Sequence, residues 1–302
     1  MLLSVQTAPI LDIYGIDDGF RRIAAAGFDG VDFNIDHTLP GSKIRANDCS
    51  GFFDQTDEEM IEATRPYKEA AEKYGVKFIQ AHAPFPTLVK EQATNEYVLH
   101  ALKKTIMLMG YVGCPNLVVH PGFMPADEKL DPEVEWDYNV KMYTALIPEL
   151  KKYGVTCCLE NMFTRHRGKV MEAICSDPYE ACAYVDHLNE VASEPLFGFC
   201  LDTGHANLLG HDLYDVIRKL GDRITILHVH DNGGINDDHM FPYMGITDWN
   251  RFCEGLKSIG YDRPLSFETF NALAVTDQAV WTEMLALLNA IGKRFAARIE
   301  GE

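Results

Sequence analysis

The stretch Lys151-Lys-Tyr-Gly-Val-Thr-Cys-Cys-Leu-Glu-Asn161 holds the unit from which the fold can be read. Gly154 stands where a helix should stop, because a glycine accepts the left-handed conformation that ends one. Six residues follow, Val155–Glu160, apolar almost throughout and closed by a carboxylate. A short apolar run without polar alternation is expected of a strand buried on both faces.

The same grammar recurs on both sides of this stretch. Strands are predicted at Leu2–Val5, Gly30–Phe33, Val76–Ala81, Asn116–His120, Leu196–Asp202, Ile224–His230 and Pro264–Phe267. Helix-like segments lie between them, at about 17–26, 57–74, 94–110, 134–153, 178–190, 209–220, 248–258 and 276–297. Thr56 with Glu59 fits a capping box, and Asp177-Pro178 with Glu180 is a stronger helix start. Gly75 stops a helix as Gly154 does, and Gly27 and Gly260 have a similar place. Eight β/α alternations predict parallel strands with helical crossovers. The count of eight predicts a single-domain (β/α)₈ TIM barrel over residues 1–302. The competing open, doubly wound sheet lacks its G-x-G-x-x-G after the first strand. Residues 34–55 are the longest irregular stretch and are expected to be functional, as a lid.

Composition narrows the function. Twenty-seven basic and 45 acidic side chains leave a net charge of −18, which repels nucleic-acid backbones and anionic membranes. A small molecule is the expected partner, with a homo-oligomer left open. The eight cysteines include no C-x-x-C pair and read as reduced thiols of a cytoplasmic protein. The opening MLLSVQTAPI lacks a basic n-region and a long apolar h-region, so no signal peptide is expected. No run of about 18 apolar residues is long enough to span a membrane.

His82, His120, Glu160, Asp202, His228 and Glu268 each fall at or just past the carboxyl end of a predicted strand, strands three to eight in order. In a barrel these ends share one face, where active sites are built. Any one of these residues could be a satisfied structural polar group. Together, the acids and imidazole at four successive ends, Glu160, Asp202, His228 and Glu268, crowd like charges that a divalent cation would relieve. Three carboxylates and one imidazole make an oxygen-rich set suited to Mn²⁺, Mg²⁺, Co²⁺ or Zn²⁺ with open positions.

The segments L-E-N (159–161), L-D-T-G-H (201–205), L-H-V-H-D-N (227–232) and S-F-E-T (266–269), with A-A-A-G-F-D-G-V-D-F (24–33), resemble the xylose-isomerase-like superfamily. That group includes ketose 3-epimerases, hydroxypyruvate isomerases, inosose dehydratases and the endonuclease IV branch. The resemblance implies that Glu160, Asp202, His228 and Glu268 are the metal ligands, with His228 preferred to His230 because it stands three residues before Asp231. It implies isomerisation or epimerisation of a small polyhydroxy carbonyl compound. The metal would polarise the carbonyl and stabilise the enediolate while Glu160 and Glu268 remove and return a proton. A lyase or dehydratase acting on a keto-sugar or inosose would use the same site.

His205 is implied to contact substrate, as are His82, His120, His230 and His239. Asp237-x-His239 matches part of the endonuclease IV trinuclear zinc site, so additional zinc ions on Asp237 and His239 are the alternative to loop ordering. Arg165 and Arg167, in T-R-H-R-G-K (164–169), could meet a substrate anion or form a solvated face. No P-loop or G-x-S-x-G element is evident.

Overall fold

The computed structural model describes residues 1–301. Among the described residues ten strands form: β1 Leu3–Gln6, β2 Gly30–Asn34, β3 Lys77–His82, β4 Asn116–Val118, β5 Thr156–Glu160, β6 Phe163–His166, β7 Lys169–Glu172, β8 Phe197–Asp202, β9 Ile224–His228 and β10 Leu265–Phe267. Eight of them make one sheet in the order β10-β1-β2-β3-β4-β5-β8-β9. β1 pairs in parallel with β10 and β2, and β4 with β3 and β5. The two ends of that order also meet: Val229, just after β9, bridges Phe267 in parallel, with Val229 N–H donating to Ser266 O at 2.8 Å. A barrel requires this pairing and an open doubly wound sheet lacks it.

The strands follow from their composition. All six residues of β8, Phe-Gly-Phe-Cys-Leu-Asp, are buried, which only a strand covered on both faces allows. The expected caps are present. Asp177 accepts the N–H of Tyr179 and opens the helix Pro178–Ala192. Thr56 and Glu59 exchange reciprocal bonds at 2.9 and 3.2 Å. Gly154 takes φ +67° at the end of the helix Ile147–Tyr153.

Three segments depart from the sequence reading. The helix expected over 134–153 is two, Pro132–Thr144 and Ile147–Tyr153. Pro148 has no N–H and would clash with the turn before it, so it is accommodated in the first turn of a new helix. The stretch 34–55 carries a five-residue helix, Gly41–Arg45, and two 3₁₀ turns. The basic run 164–169 forms the antiparallel hairpin β6–β7, with Arg167 and Gly168 at positive φ in its turn.

The chain groups into two compact units with interleaved segments. One holds Met1–Phe33, Glu69–Ile79 and the chain from Cys200 onward; the other holds Asn34–Lys68 and Gln80–Phe199. In the first, Trp249 stacks on Phe295 at 5.2 Å between ring centroids, with Phe252 edge-on to both. In the second, Leu117, Val118, Leu150, Leu159 and Tyr143 are fully buried. Each fully buried Leu or Phe contributes about 1.5–3 kcal/mol through apolar area removed from water. All eight cysteines are free thiols, and seven are buried. Among the described residues no helix is long and apolar enough to cross a membrane.

Candidate metal centre

Asp202 is the last residue of β8 and also the N-cap of the helix Thr203–Leu208, where its Oδ1 accepts the N–H of His205 at 2.7 Å. His228 is the last residue of β9, and Glu268 follows β10 directly. The three side chains converge in the first unit. Nδ1 of His228 lies 3.5 Å from Glu268 Oε2 and 3.8 Å from Asp202 Oδ2. Gln6 Nε2 donates to Glu268 Oε1 at 2.8 Å, which fixes the carboxylate with its other oxygen toward His228.

These separations are longer than hydrogen bonds. Donors bound to one ion by bonds of about 2.0–2.2 Å stand roughly 3.0–3.5 Å apart, a spacing that Glu268 meets and Asp202, at 3.8 Å, exceeds slightly. Two buried carboxylates beside one imidazole would cost several kcal/mol per ion without compensation. The donor chemistry therefore fits a divalent cation.

The other face of His228 separates it from His230. Nε2 of His228 is 3.4 Å from Oδ2 of Asp32, and both residues are fully buried. Metal-bound histidines characteristically turn their second nitrogen to a carboxylate, which fixes the tautomer and raises basicity. Sequence reasoning overlooked Asp32 and Gln6. The signal for Asp32 was a lone acid inside the apolar run Val31-Asp32-Phe33.

His230 belongs to a neighbouring cluster. Its Nε2 is 2.9 and 3.0 Å from the two oxygens of Asp202, and its ring stacks on His239 at 4.0 Å. It lies against the backbone of Gly204, where a Cβ would stand 1.9 Å from His230 Cε1. Only glycine permits that approach. Asp237 sits among three imidazoles, 2.9 Å from His239 Nε2, 3.4 Å from His205 Nε2 and 3.9 Å from His230 Nε2. Burial works to raise the Asp237 pKa, but the charge and hydrogen bond of His205, with the bond from His239, hold it well below the usual carboxylate range. Burial likewise opposes charging of His239, yet Glu268 and Asp237 raise it to about 9. His230, His239 and Glu268 also bring donor atoms close enough to share an ion.

Asp231 has a different task. Its carboxylate accepts from the N–H groups of Asn232, Tyr243 and Thr247 and from Trp249 Nε1, all within 3.1 Å. It thereby ties down the loop that carries Asp237 and His239.

The second unit brings together His82 at the end of β3, His120 two residues past β4 and Glu160 at the end of β5. His120 Nε2 is 3.2 Å from Glu160 Oε2, and the His82 and His120 rings stack at 5.8 Å. These three also form a group able to hold an ion. Arg165 and Arg167 are exposed on the β6–β7 hairpin, with Arg167 in its turn.

Residues 20–291 match the family model described as xylose isomerase-like TIM barrel. The protein y4fM of Sinorhizobium fredii is 38% identical over 269 residues, covering 84% of this chain and 82% of that one. A probable endonuclease 4 of Metamycoplasma arthritidis is 29% identical over 224 residues, covering 67% and 75%. Among solved structures, a D-tagatose 3-epimerase-like protein has a TM-score of 0.68 at 22% identity, covering 98% of this chain and all of the other. The IolI protein with a bound zinc atom has a TM-score of 0.70 at 17% identity, covering 99% and 98%. At these identities the structures establish the fold. This chain belongs to the xylose isomerase-like TIM-barrel family, and sugar epimerases are among its structural neighbours.

Proposed function

We propose that the protein is a divalent-metal-dependent isomerase or epimerase of a small sugar or related polyhydroxy carbonyl compound. The observation that carries this reading is His228, with Nδ1 facing Asp202 and Glu268 and Nε2 facing Asp32. By the family resemblance, Glu160 at the end of β5 is the fourth ligand proposed with Asp202, His228 and Glu268. Mn²⁺, Mg²⁺, Co²⁺ and Zn²⁺ suit this donor set, and the zinc named for the IolI structure supports it. When bound, the ion supplies Lewis acidity toward a carbonyl oxygen.

The chain's own residues carry the proton. Glu268, held by Gln6, and Glu160, beside His120, are the two carboxylates that remove and return the proton next to the carbonyl. His82, His120, His205, His230 and His239 offer donors to substrate hydroxyls. The test is conversion of a panel of ketoses with each of the four metals, read by product analysis. Interconverted epimers or aldose–ketose pairs support the proposal. A dehydrated product would identify the lyase that the same carboxylates could serve.

A second reading rests on Asp237, His205 and His239, which hold together as a further cation site would, and on the endonuclease 4 relative. The net charge of −18 opposes a phosphate-rich duplex. Strand cleavage at an abasic site, with several zinc ions per chain, would favour it.

A further inference from the structure

We infer that the second unit carries a subsite for the distal ring of a glycoside, so that the substrate is a ring-bearing sugar derivative rather than a free monosaccharide. This rests on the sugar-directed reading above. The observation is a cavity of about 440 Å³. Phe85, Pro86, Leu88, Phe123 and Met124 give it an apolar wall, and Arg45 stands at its edge. A volume in the range of about 300–1,000 Å³ suits a drug-sized molecule. It leaves room for a ring in addition to the reacting sugar.

The cavity adjoins the candidate chemistry. The Phe85 ring is 4.7 Å from the His120 ring, and His120 Nε2 is 3.2 Å from Glu160 Oε2. Phe123 continues the wall, 6.3 Å from Phe85 at an interplanar angle of 31°. Both phenylalanines are half-buried, with faces left for a guest. Aromatic faces are electron-rich and attract the C–H edges of another ring, either an aromatic aglycone or a second pyranose.

The wall is pre-formed. Asn139, fully buried, accepts the N–H of Gly122 at 2.7 Å and donates to its carbonyl at 2.8 Å. Thr87 Oγ1 donates to His120 O at 2.9 Å, and Tyr138 donates to Thr87 O at 2.6 Å. Gly122 is required here, since a Cβ would meet Tyr138 at 2.6 Å and Leu88 at 3.0 Å. Lys90 is paired with Glu128 at 2.6 Å, and Arg45 lies 5.7 Å over the Phe85 ring.

The test is calorimetric titration of the Mn²⁺-loaded protein with methyl β-glucoside, 4-nitrophenyl β-glucoside and cellobiose. At least one two-ring ligand should bind about 3- to 10-fold more tightly than the methyl glucoside, an advantage the size of one aromatic contact. A preference for the nitrophenyl compound identifies an aglycone site, and a preference for cellobiose a second-sugar site. Phe123→Ala, which removes wall, and Met124→Trp, which fills the cavity, should each abolish that advantage while leaving methyl glucoside binding unchanged. Equal affinity for all three ligands overturns the inference, and so does an advantage that survives both variants. A two-ring advantage without turnover of any ketose would leave the subsite standing and remove the proposed activity.

Discussion

Nε2 of His228 and Oδ2 of Asp32 lie 3.4 Å apart, fully buried, with the other nitrogen of the same ring turned to Glu268 and Asp202. An imidazole with one carboxylate behind and two in front is placed to coordinate through Nδ1, with Asp32 as the carboxylate that faces its second nitrogen. Asp32→Asn keeps the side-chain volume and removes the charge. Divalent-metal affinity should fall by about 10- to 100-fold, the usual cost of losing such a partner. The check is metal titration alongside thermal unfolding. Unchanged affinity would remove Asp32 from the account.

The two histidines of L-H-V-H should separate on mutation. His228→Ala should abolish tight metal binding. His230→Ala should retain it, because His230 Nε2 meets Asp202 while its ring packs with His239 outside the Nδ1-centred group. Elemental analysis of both variants decides this, and the reverse pattern would transfer the ligand role to His230.

Gly204→Ala tests the close approach of His230 to the Thr203–Leu208 helix. The added methyl would overlap the ring, and neither backbone nor ring can move freely in a buried site. Overpacking of this kind costs about 1–3 kcal/mol. Denaturant unfolding should report that loss, and turnover should fall with it. Wild-type stability and turnover together would show that His230 has another seat.

Glu160→Gln and Glu268→Gln should each lower turnover by about 10²- to 10⁴-fold at saturating metal, because an amide cannot accept the proton. Deuterium incorporation from heavy water into the converted sugar should fall in parallel. Unchanged turnover in both variants at full metal occupancy would exclude the two-carboxylate mechanism.

The strands were legible because burial on both faces leaves an unbroken apolar run, as in Cys157-Cys158-Leu159 and Phe197–Leu201. The carboxyl ends of those runs pointed to Glu160 and Asp202, while the run Ile224–His230 overshot the observed strand end at His228 by two residues. Asp32 escaped because a single acid within a strand looks the same whether it faces solvent or a buried ring. His228 and His230 could not be ranked by orientation, since residues two apart on a strand point the same way. The partners of each ring differ, and metal binding by the two variants decides between them. Pro148 is the local signal of the break over 134–153, since proline in a helix interior lacks the N–H and clashes with the preceding turn, but the apolar periodicity runs on through it. The charge of the run 164–169 leaves an anion site and a solvated face both open, and its place in a hairpin, with Arg167 and Gly168 in the turn, is not visible in the charge pattern.

The most direct test of the central claim is anomalous diffraction from crystals soaked in Mn²⁺. The account predicts a strong peak within bonding distance of His228 Nδ1, Asp202, Glu268 and Glu160. No peak there, or a peak only among Asp237, His205 and His239, would contradict it.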